Sequence, residues 1–181
     1  DYDDTMKHFY ILLGGKLKVY QINLDNAKEQ TIYLMSRGDM YDTVTLLDGK
    51  THDVVVDILE EGEALQIPIG KAREWMYVYP EFGEIILKYI SSQLRGVEGL
   101  ASDLTLLDTQ DRLIKLLLKN INDGGNSILD GLSHGEIAKL IGTVRHVVDR
   151  HIKQLREDGI LEKEKKKISV RNREKLLDKI R

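Results

Sequence analysis

Short alternating stretches fill the first part of the chain, and three- and four-residue spacings fill the rest. Lys16-Leu17-Lys18-Val19-Tyr20-Gln21-Ile22 alternates, with Leu17 and Val19 on one face, and Thr31-Ile32-Tyr33-Leu34-Met35 alternates again. Phe9-Tyr10-Ile11-Leu12-Leu13 and the β-branched Val54-Val55-Val56-Asp57-Ile58 read as strands, the latter as a buried one. Leu65, Ile67 and Ile69 alternate around Pro68. Gly14-Gly15, Leu24-Asp25-Asn26, Arg37-Gly38-Asp39 and Asp48-Gly49-Lys50 supply the turns between them. Many short strands with turns at this spacing predict an antiparallel β-roll, jelly-roll-like, with a helix left open for the apolar run 44–47.

The period then changes. From about Glu84 to Leu107 no proline occurs, and Ile86, Ile90, Gln93, Val97, Leu100, Leu104 and Leu107 follow one another at alternating four- and three-residue steps. That is a heptad seam with one polar member, on a helix of roughly 36 Å. The first turns, near Ile86 and Ile90, are expected to pack on the roll. Gln93, Val97, Leu100, Leu104 and Leu107 are expected to form the seam of a parallel homodimer. Gly96 and Gly99 each weaken the helix by about 1 kcal/mol relative to Ala.

Beyond Asp108-Thr109 a further helix is predicted to about Asn120, with Leu113, Leu116, Leu117 and Ile121 apolar, followed by a loop at Asn122-Asp123-Gly124-Gly125-Asn126. Ser133-His134-Gly135-Glu136 has the spacing of a capping box. It opens a short helix that Gly142 stops. Thr143 is then placed to cap a second helix reaching Glu157, with Val144, Val148, Ile152 and Leu155 along its inner face. Arg145, His146, Asp149, Arg150 and Lys153 fall outside that stripe. Gly159 ends the helix. Two short strands, Ile160 to Glu164 and Ile168 to Val170, then flank Lys165, Lys166 and Lys167. A short helix, a glycine turn, a basic amphipathic helix and a basic hairpin make a winged helix-turn-helix. The fold class is therefore α+β: an effector-sensing roll over 1–83, a central dimerisation helix over 84–108 and a DNA-binding domain over 109–181.

Charge supports this division. The net charge of −3 conceals an acidic stretch, net −9 over residues 1–108, and a basic one, net +6 over 109–181. A polyanion partner, double-stranded operator DNA, is expected to meet the second. The chain has no cysteine, which excludes disulfides, a cysteine nucleophile and cysteine-held clusters within these residues. No segment is long and apolar enough to suggest a membrane span, and a cytoplasmic location is expected. The chain opens at Asp1-Tyr2-Asp3-Asp4 without Met, and strand-like sequence follows almost at once, so an N-terminally incomplete roll is expected.

The stretch Leu132-Ser133-His134-Gly135-Glu136-Ile137-Ala138-Lys139-Leu140-Ile141-Gly142-Thr143-Val144-Arg145-His146-Val147-Val148-Asp149-Arg150 resembles the helix-turn-helix of the CRP/FNR family of bacterial transcriptional regulators. Gly38-Asp39 is similar to that family's P-G-D turn, with Arg37 in place of proline. The resemblance covers nearly the whole chain. It implies a cyclic-nucleotide-binding-type roll, a DNA-binding homodimer and RNA polymerase as a partner. In similar proteins the recognition helix opens R-E-T-V-x-R, or E-x-x-S-R in the FNR-like branch. Arg145 and Arg150 take the two arginine positions of the first form, His146 replaces the glutamate, and Asp149 precedes the second arginine. By the resemblance, Ser133, Thr143, Arg145, His146, Asp149, Arg150, Lys153, Lys165, Lys166 and Lys167 are the DNA-contacting candidates.

The family's phosphate cassette carries G-E-L followed by R-S or R-A. Here Asp42-Thr43 stands for Gly-Glu and His52-Asp53 for Arg-Ser. An aspartate facing a phosphate repels it, and Lys50 would offer a point charge rather than a fork. Val97-Glu98 replaces a base-contacting Thr-Ser pair. The effector pocket candidates are thus Asp42, Thr43, His52, Asp53, Val97 and Glu98, and ordinary cyclic AMP is not the expected effector. Haem stays open as a cofactor, with His8, His52, Met6 and Met40 as candidate ligands.

An enzyme is not expected. The five histidines are isolated, so a cupin-like metal site lacks its ligand cluster, and neither a phosphate-binding G-x-x-x-x-G-K-[ST] loop nor a G-x-S-x-G elbow occurs. No metal site is expected. The competing reading is a β-roll module that controls a partner protein rather than DNA.

Overall fold

The structure, a computed structural model, describes residues 6–120, 127–162 and 168–180. It divides into two compact units, Asp1–Lys28 with Ile32–Gly99 and Glu29–Thr31 with Leu100–Arg181.

The first unit holds six strands, except for Glu29–Thr31 of the third: β1 (His8–Leu12), β2 (Lys16–Asn23), β3 (Lys28–Met35), β4 (Met40–Tyr41), β5 (Val55–Glu60) and β6 (Ala64–Pro68). They form two three-stranded sheets, ordered β4-β1-β6 and β3-β2-β5. β1 pairs antiparallel with β4 and β6, and β2 with β5 through a bulge at Lys16 and Leu17. The apolar run near 44–47 is helical: α1 (Thr43–Asp48) follows β4. Its C-terminal carbonyls are held by Arg73, whose Nε donates to the carbonyl of Leu46 at 2.8 Å and whose Nη2 donates to that of Thr45 at 3.0 Å. Arg73 lies on α2 (Ile69–Val78).

One core cluster joins Phe9, Met40, Leu46, Ile67, Ala72 and Ile86, and a second joins Leu12, Val19 and Met35. Ile86 is fully buried, so the first turns of the long helix do pack on the roll. Burial of a side chain of this size stabilises by about 1.5–3 kcal/mol.

Three strand expectations change. The Val54–Ile58 run is not buried: Val55 is 40% exposed and Ile58 71%, because β5 lies at a sheet edge. Only Val54 and Val56 pack partly against the second cluster. Of the Leu65, Ile67, Ile69 alternation, only Ile67 is buried; Leu65 is exposed and Ile69 already starts α2. Lys18 is buried between β2 neighbours, with Nζ 3.0 Å from Asp57 and over the ring of Tyr20.

The long helix α3 runs Pro80–Leu106, so it starts four residues before Glu84. Pro80 is its first residue, where the missing N–H costs nothing because first-turn donors have no intrahelical partner. The proline thus opens the helix.

The second unit holds α4 (Thr109–Lys119), α5 (His134–Leu140), α6 (Arg145–Glu157) and α7 (Arg173–Asp178). Asp108 caps α4, its carboxylate accepting from the backbone N–H of Gln110 and Asp111. Leu113, Ile114 and Leu117 of α4 pack with Ile137 and Ala138 of α5, Val148, Ile152 and Leu155 of α6 and Leu176 of α7 to fill the core. Leu161 and Val170 form an antiparallel bridge, and the N–H of Glu162 donates to the carbonyl of Ser169 at 2.9 Å. Ile121, the loop 122–126 and Lys165, Lys166 and Lys167 lie outside the described residues.

Candidate nucleic-acid interface and effector cavity

The helix-turn-helix is built from local rules. Ser133 caps α5 with a reciprocal box: its hydroxyl accepts from the N–H of Glu136, and the Glu136 carboxylate accepts from the N–H of Ser133 at 2.7 Å. Gly142 turns the chain at φ +64°. Thr143 does not cap α6. Val144 stands at the N-cap, extended and with no side-chain hydrogen bond, while the N–H of Thr143 donates to the carbonyl of Ala138 at 2.9 Å. Val144 is also exposed rather than on the inner face. The helix α6 starts at Arg145, one residue later than a Thr143 cap would set it.

Val148, Ile152 and Leu155 bury one face of α6. Arg145, His146, Arg150 and Lys153 are exposed on the rest of it. Arg145 Nε lies 3.6 Å from Asp149 and Lys153 Nζ 3.8 Å from Glu157, pairs one helical turn apart that solvent screens. Asp149 differs from its neighbours. Its carboxylate is hydrogen-bonded to the His134 imidazole of α5. That bond, followed by the charges of His134, Arg145 and His146, holds it below the usual carboxylate range. Behind the helix, His151 Nε2 and Thr109 Oγ1 are 3.0 Å apart, and burial and the Arg150 charge lower the His151 pKa.

The first unit contains a cavity of about 270 Å³. Of the six sequence candidates, Asp42, Thr43, His52 and Val97 line it. Asp53 and Glu98 do not: both are exposed, Glu98 because it is one helical step around α3 from Val97, and Asp53 at the centre of a tight turn closed by the Val54 N–H donating to the His52 carbonyl at 3.0 Å. Gln93, read as a seam member, also lines the cavity, together with Tyr89, Ile90 and Leu94 of α3. The upper half of the heptad pattern thus faces this chain's own roll.

Asp42 sits in the left-handed region, φ 67°, between β4 and α1, with its side chain wholly buried. Its Oδ1 accepts from Thr45 Oγ1 at 2.6 Å and lies 3.8 Å from His52 Nδ1, whereas its Oδ2 has no hydrogen-bond partner. Burial raises the Asp42 pKa. Sequence reading missed Tyr33, Tyr41 and Tyr89, which line the same cavity. The alternation of β3 was the available signal for Tyr33, since it shares a face with Met35, another lining residue. Burial keeps these phenols neutral, with Tyr41 pushed up to about 12 and Tyr33 and Tyr89 also raised. The Tyr89 hydroxyl donates to Asp39 Oδ1 at 3.1 Å. Among the described residues, no lysine or arginine lines the cavity.

Met40 and His52 are both at the cavity wall, but His8 and Met6 are not. The cavity is smaller than the ~300–1,000 Å³ typical of drug-sized ligands. No cluster of three or more His, Cys, Asp or Glu side chains suited to a metal occurs among the described residues. No helix of the described residues is long and apolar enough to cross a membrane.

Two family models match this chain. One, the cyclic nucleotide-binding domain, covers residues 2–77, and the other, the Crp-like helix-turn-helix domain, covers residues 111–179. The chain belongs to the CRP/FNR family. CRP/FNR proteins are transcriptional regulators, not enzymes, and they bind DNA and act as dimers. Among relatives, the chain is 29% identical over 175 residues to a global nitrogen regulator of Nostoc, covering 92% of this chain and 78% of that protein. It is 28% identical over 177 residues to a global nitrogen regulator of Synechocystis, covering 93% and 78%. Its fold is similar to that of FixK2 from Bradyrhizobium japonicum, with a TM-score of 0.83 and 19% identity over 96% of this chain and 87% of that one. The CRP/FNR assignment accounts for the order of the elements: a roll of paired sheets, a long helix and a winged helix-turn-helix.

Proposed function

We propose that the protein is a sequence-specific DNA-binding regulator whose DNA affinity is set by an effector held in the roll cavity, and that the effector is not ordinary cyclic AMP. The observation that carries the DNA reading is the division of α6: Val148, Ile152 and Leu155 are buried while Arg145, His146, Arg150 and Lys153 face solvent. Such a helix offers guanidinium forks to base edges and is anchored behind. Arg145 and Arg150 read bases; Lys153 and the lysine run 165–167 neutralise phosphates; Ser133 and Thr143 hold the turn; and Asp149 orients Arg145. RNA polymerase is the partner of the DNA-bound dimer. Against cyclic AMP stands a cavity without arginine or lysine and with an aspartate at its wall. Among the described residues, an anionic phosphate there would meet no lysine or arginine.

The test begins with selection of the preferred duplex from a random pool. Fluorescence anisotropy then compares that duplex with an unrelated one at several salt concentrations. Arg150→Ala should remove about 1–3 kcal/mol of discrimination. Lys166→Ala should weaken both duplexes alike and lower the salt slope by about one at most. A protein without salt-dependent duplex binding would instead be a regulatory module for another protein.

A further inference from the structure

We propose that the roll cavity binds a small organic ammonium ion, with the protonated amine set against Asp42 and the apolar body between the tyrosines and α3. The proposal rests on reading this cavity as the effector site, and it names the class of effector.

Three observations converge. Asp42 is a wholly buried side chain at the cavity wall, and its Oδ2 has no partner within the protein. A buried acceptor left unmade costs the desolvation of that group, more so when it is charged. A ligand that donates to it recovers that cost. Second, Tyr33, Tyr41 and Tyr89 line the same space. As neutral phenols they present π-faces and oxygen lone pairs, both of which attract a cation. Third, the remaining wall is apolar, with Val19, Met35, Val44, Ile90 and Val97 among it, and it holds no lysine or arginine. An anion would face Asp42 with no lysine or arginine among the described residues to offset it. A bare divalent metal would need several oxygen ligands, and the described residues bring no such cluster together. His52 flanks the carboxylate, and its buried Nδ1 is likewise without a hydrogen-bond partner, so a ligand polar group can engage both. Burial raises the Asp42 pKa, and an ammonium ion set against its carboxylate would act in the opposite direction.

The experiment is titration calorimetry on the purified chain with three probes of similar shape that differ in head group: 2-phenylethylammonium, 2-phenylethanol and phenylacetate. The ammonium should bind at least about tenfold more tightly than the alcohol, in line with a charge-assisted hydrogen bond. The carboxylate should not bind. Asp42→Asn should erase the preference for the ammonium. Asparagine tolerates the left-handed backbone and can still accept from Thr45, and circular dichroism checks the fold. Val97→Trp is a second variant that fills the cavity from α3 and should abolish binding of all three probes. Equal affinity for the three probes, preference for the carboxylate, absence of ammonium binding up to millimolar concentration, or unchanged binding in Asp42→Asn would each overturn the proposal. Anisotropy with the selected duplex separates this from the wider reading. Ammonium binding with no change in DNA affinity would remove the effector role and leave the ligand class standing. DNA affinity controlled through this cavity by an anion would remove the ligand class and leave the effector role.

Discussion

Asp149 of the recognition helix is hydrogen-bonded to His134 in the first turn of α5. The pair ties the two helices of the helix-turn-helix together at their outer edge, while Val148, Ile152 and Ile137 do so in the core. Arg145 reaches the other carboxylate oxygen at 3.6 Å, so one aspartate faces both an imidazole and a guanidinium. An acid at this point would repel phosphate if it stood free. Here its charge is spent inside the domain, which leaves the outer surface of α6 cationic.

This contact sets an acid dependence. The His134 hydrogen bond lowers the folded-state pKa of Asp149. A carboxyl with a lowered pKa adds stability that is fully present above its unfolded value, near 3.8, and is lost as pH falls through the lower folded value. Asp149→Asn should therefore flatten the acid limb of the stability curve below about pH 4, and cost at most about 1 kcal/mol at neutral pH because the group is partly exposed. Denaturant unfolding at stepped pH measures both. An unaltered acid limb in Asp149→Asn would show that the contact carries no free energy.

Assembly gives a second prediction. Leu100 is half-buried and lies on the heptad positions beyond the cavity, and Leu104 and Leu107 continue the row. Leu104 is an ambiguous probe, because its side chain also lies against the Gly142 turn of the same chain. Leu100 is the cleaner choice. Leu100→Asp should give monomers by light scattering with unchanged circular dichroism, and should weaken DNA binding by at least about tenfold through loss of the second half-site. A dimer that survives Leu100→Asp would place the interface elsewhere.

The architecture was legible because each element has a strong local signal: turn glycines between alternating strands, a heptad row, and a capping box before a glycine turn. What failed was the burial of particular residues. Val55 and Ile58 look like core by composition, but a strand's sheet position decides exposure, and the local pattern does not encode it. Spacing alone does not assign Gln93 and Val97, which line the cavity, to one role, because a dimer seam and packing on a roll both need one apolar stripe. The cavity was half legible. Asp42 and His52 stood out as departures from a family motif. Tyr33, Tyr41 and Tyr89 come from three separate elements, and only the folded sheet brings them together.

The last prediction concerns Gly142, which separates α5 from α6. Its φ of +64° lies in the left-handed region, where a side chain costs roughly 1 kcal/mol. A second penalty adds to the first. A Cβ at this position would stand 2.4 Å from Leu104 Cδ2 and 3.3 Å from Arg112 Nη1, far inside normal contact for the leucine. Arg112 is a flexible tip and can move aside. Leu104 must shift its rotamer or the turn must open, and either change tilts α6 relative to α5. Gly142→Ala should therefore destabilise the second unit by about 1–3 kcal/mol, as overpacking and left-handed strain combine. It should also weaken binding to every duplex, since the recognition helix is displaced as a body. Leu104→Ala in the same chain removes the obstructing methyl groups. The double variant should recover more stability than the sum of the single effects allows, leaving only the backbone penalty. Thermal unfolding of the four proteins in a double-mutant cycle reads this coupling directly. Strict additivity would show that Leu104 does not press on the turn and that the glycine is required for its backbone alone.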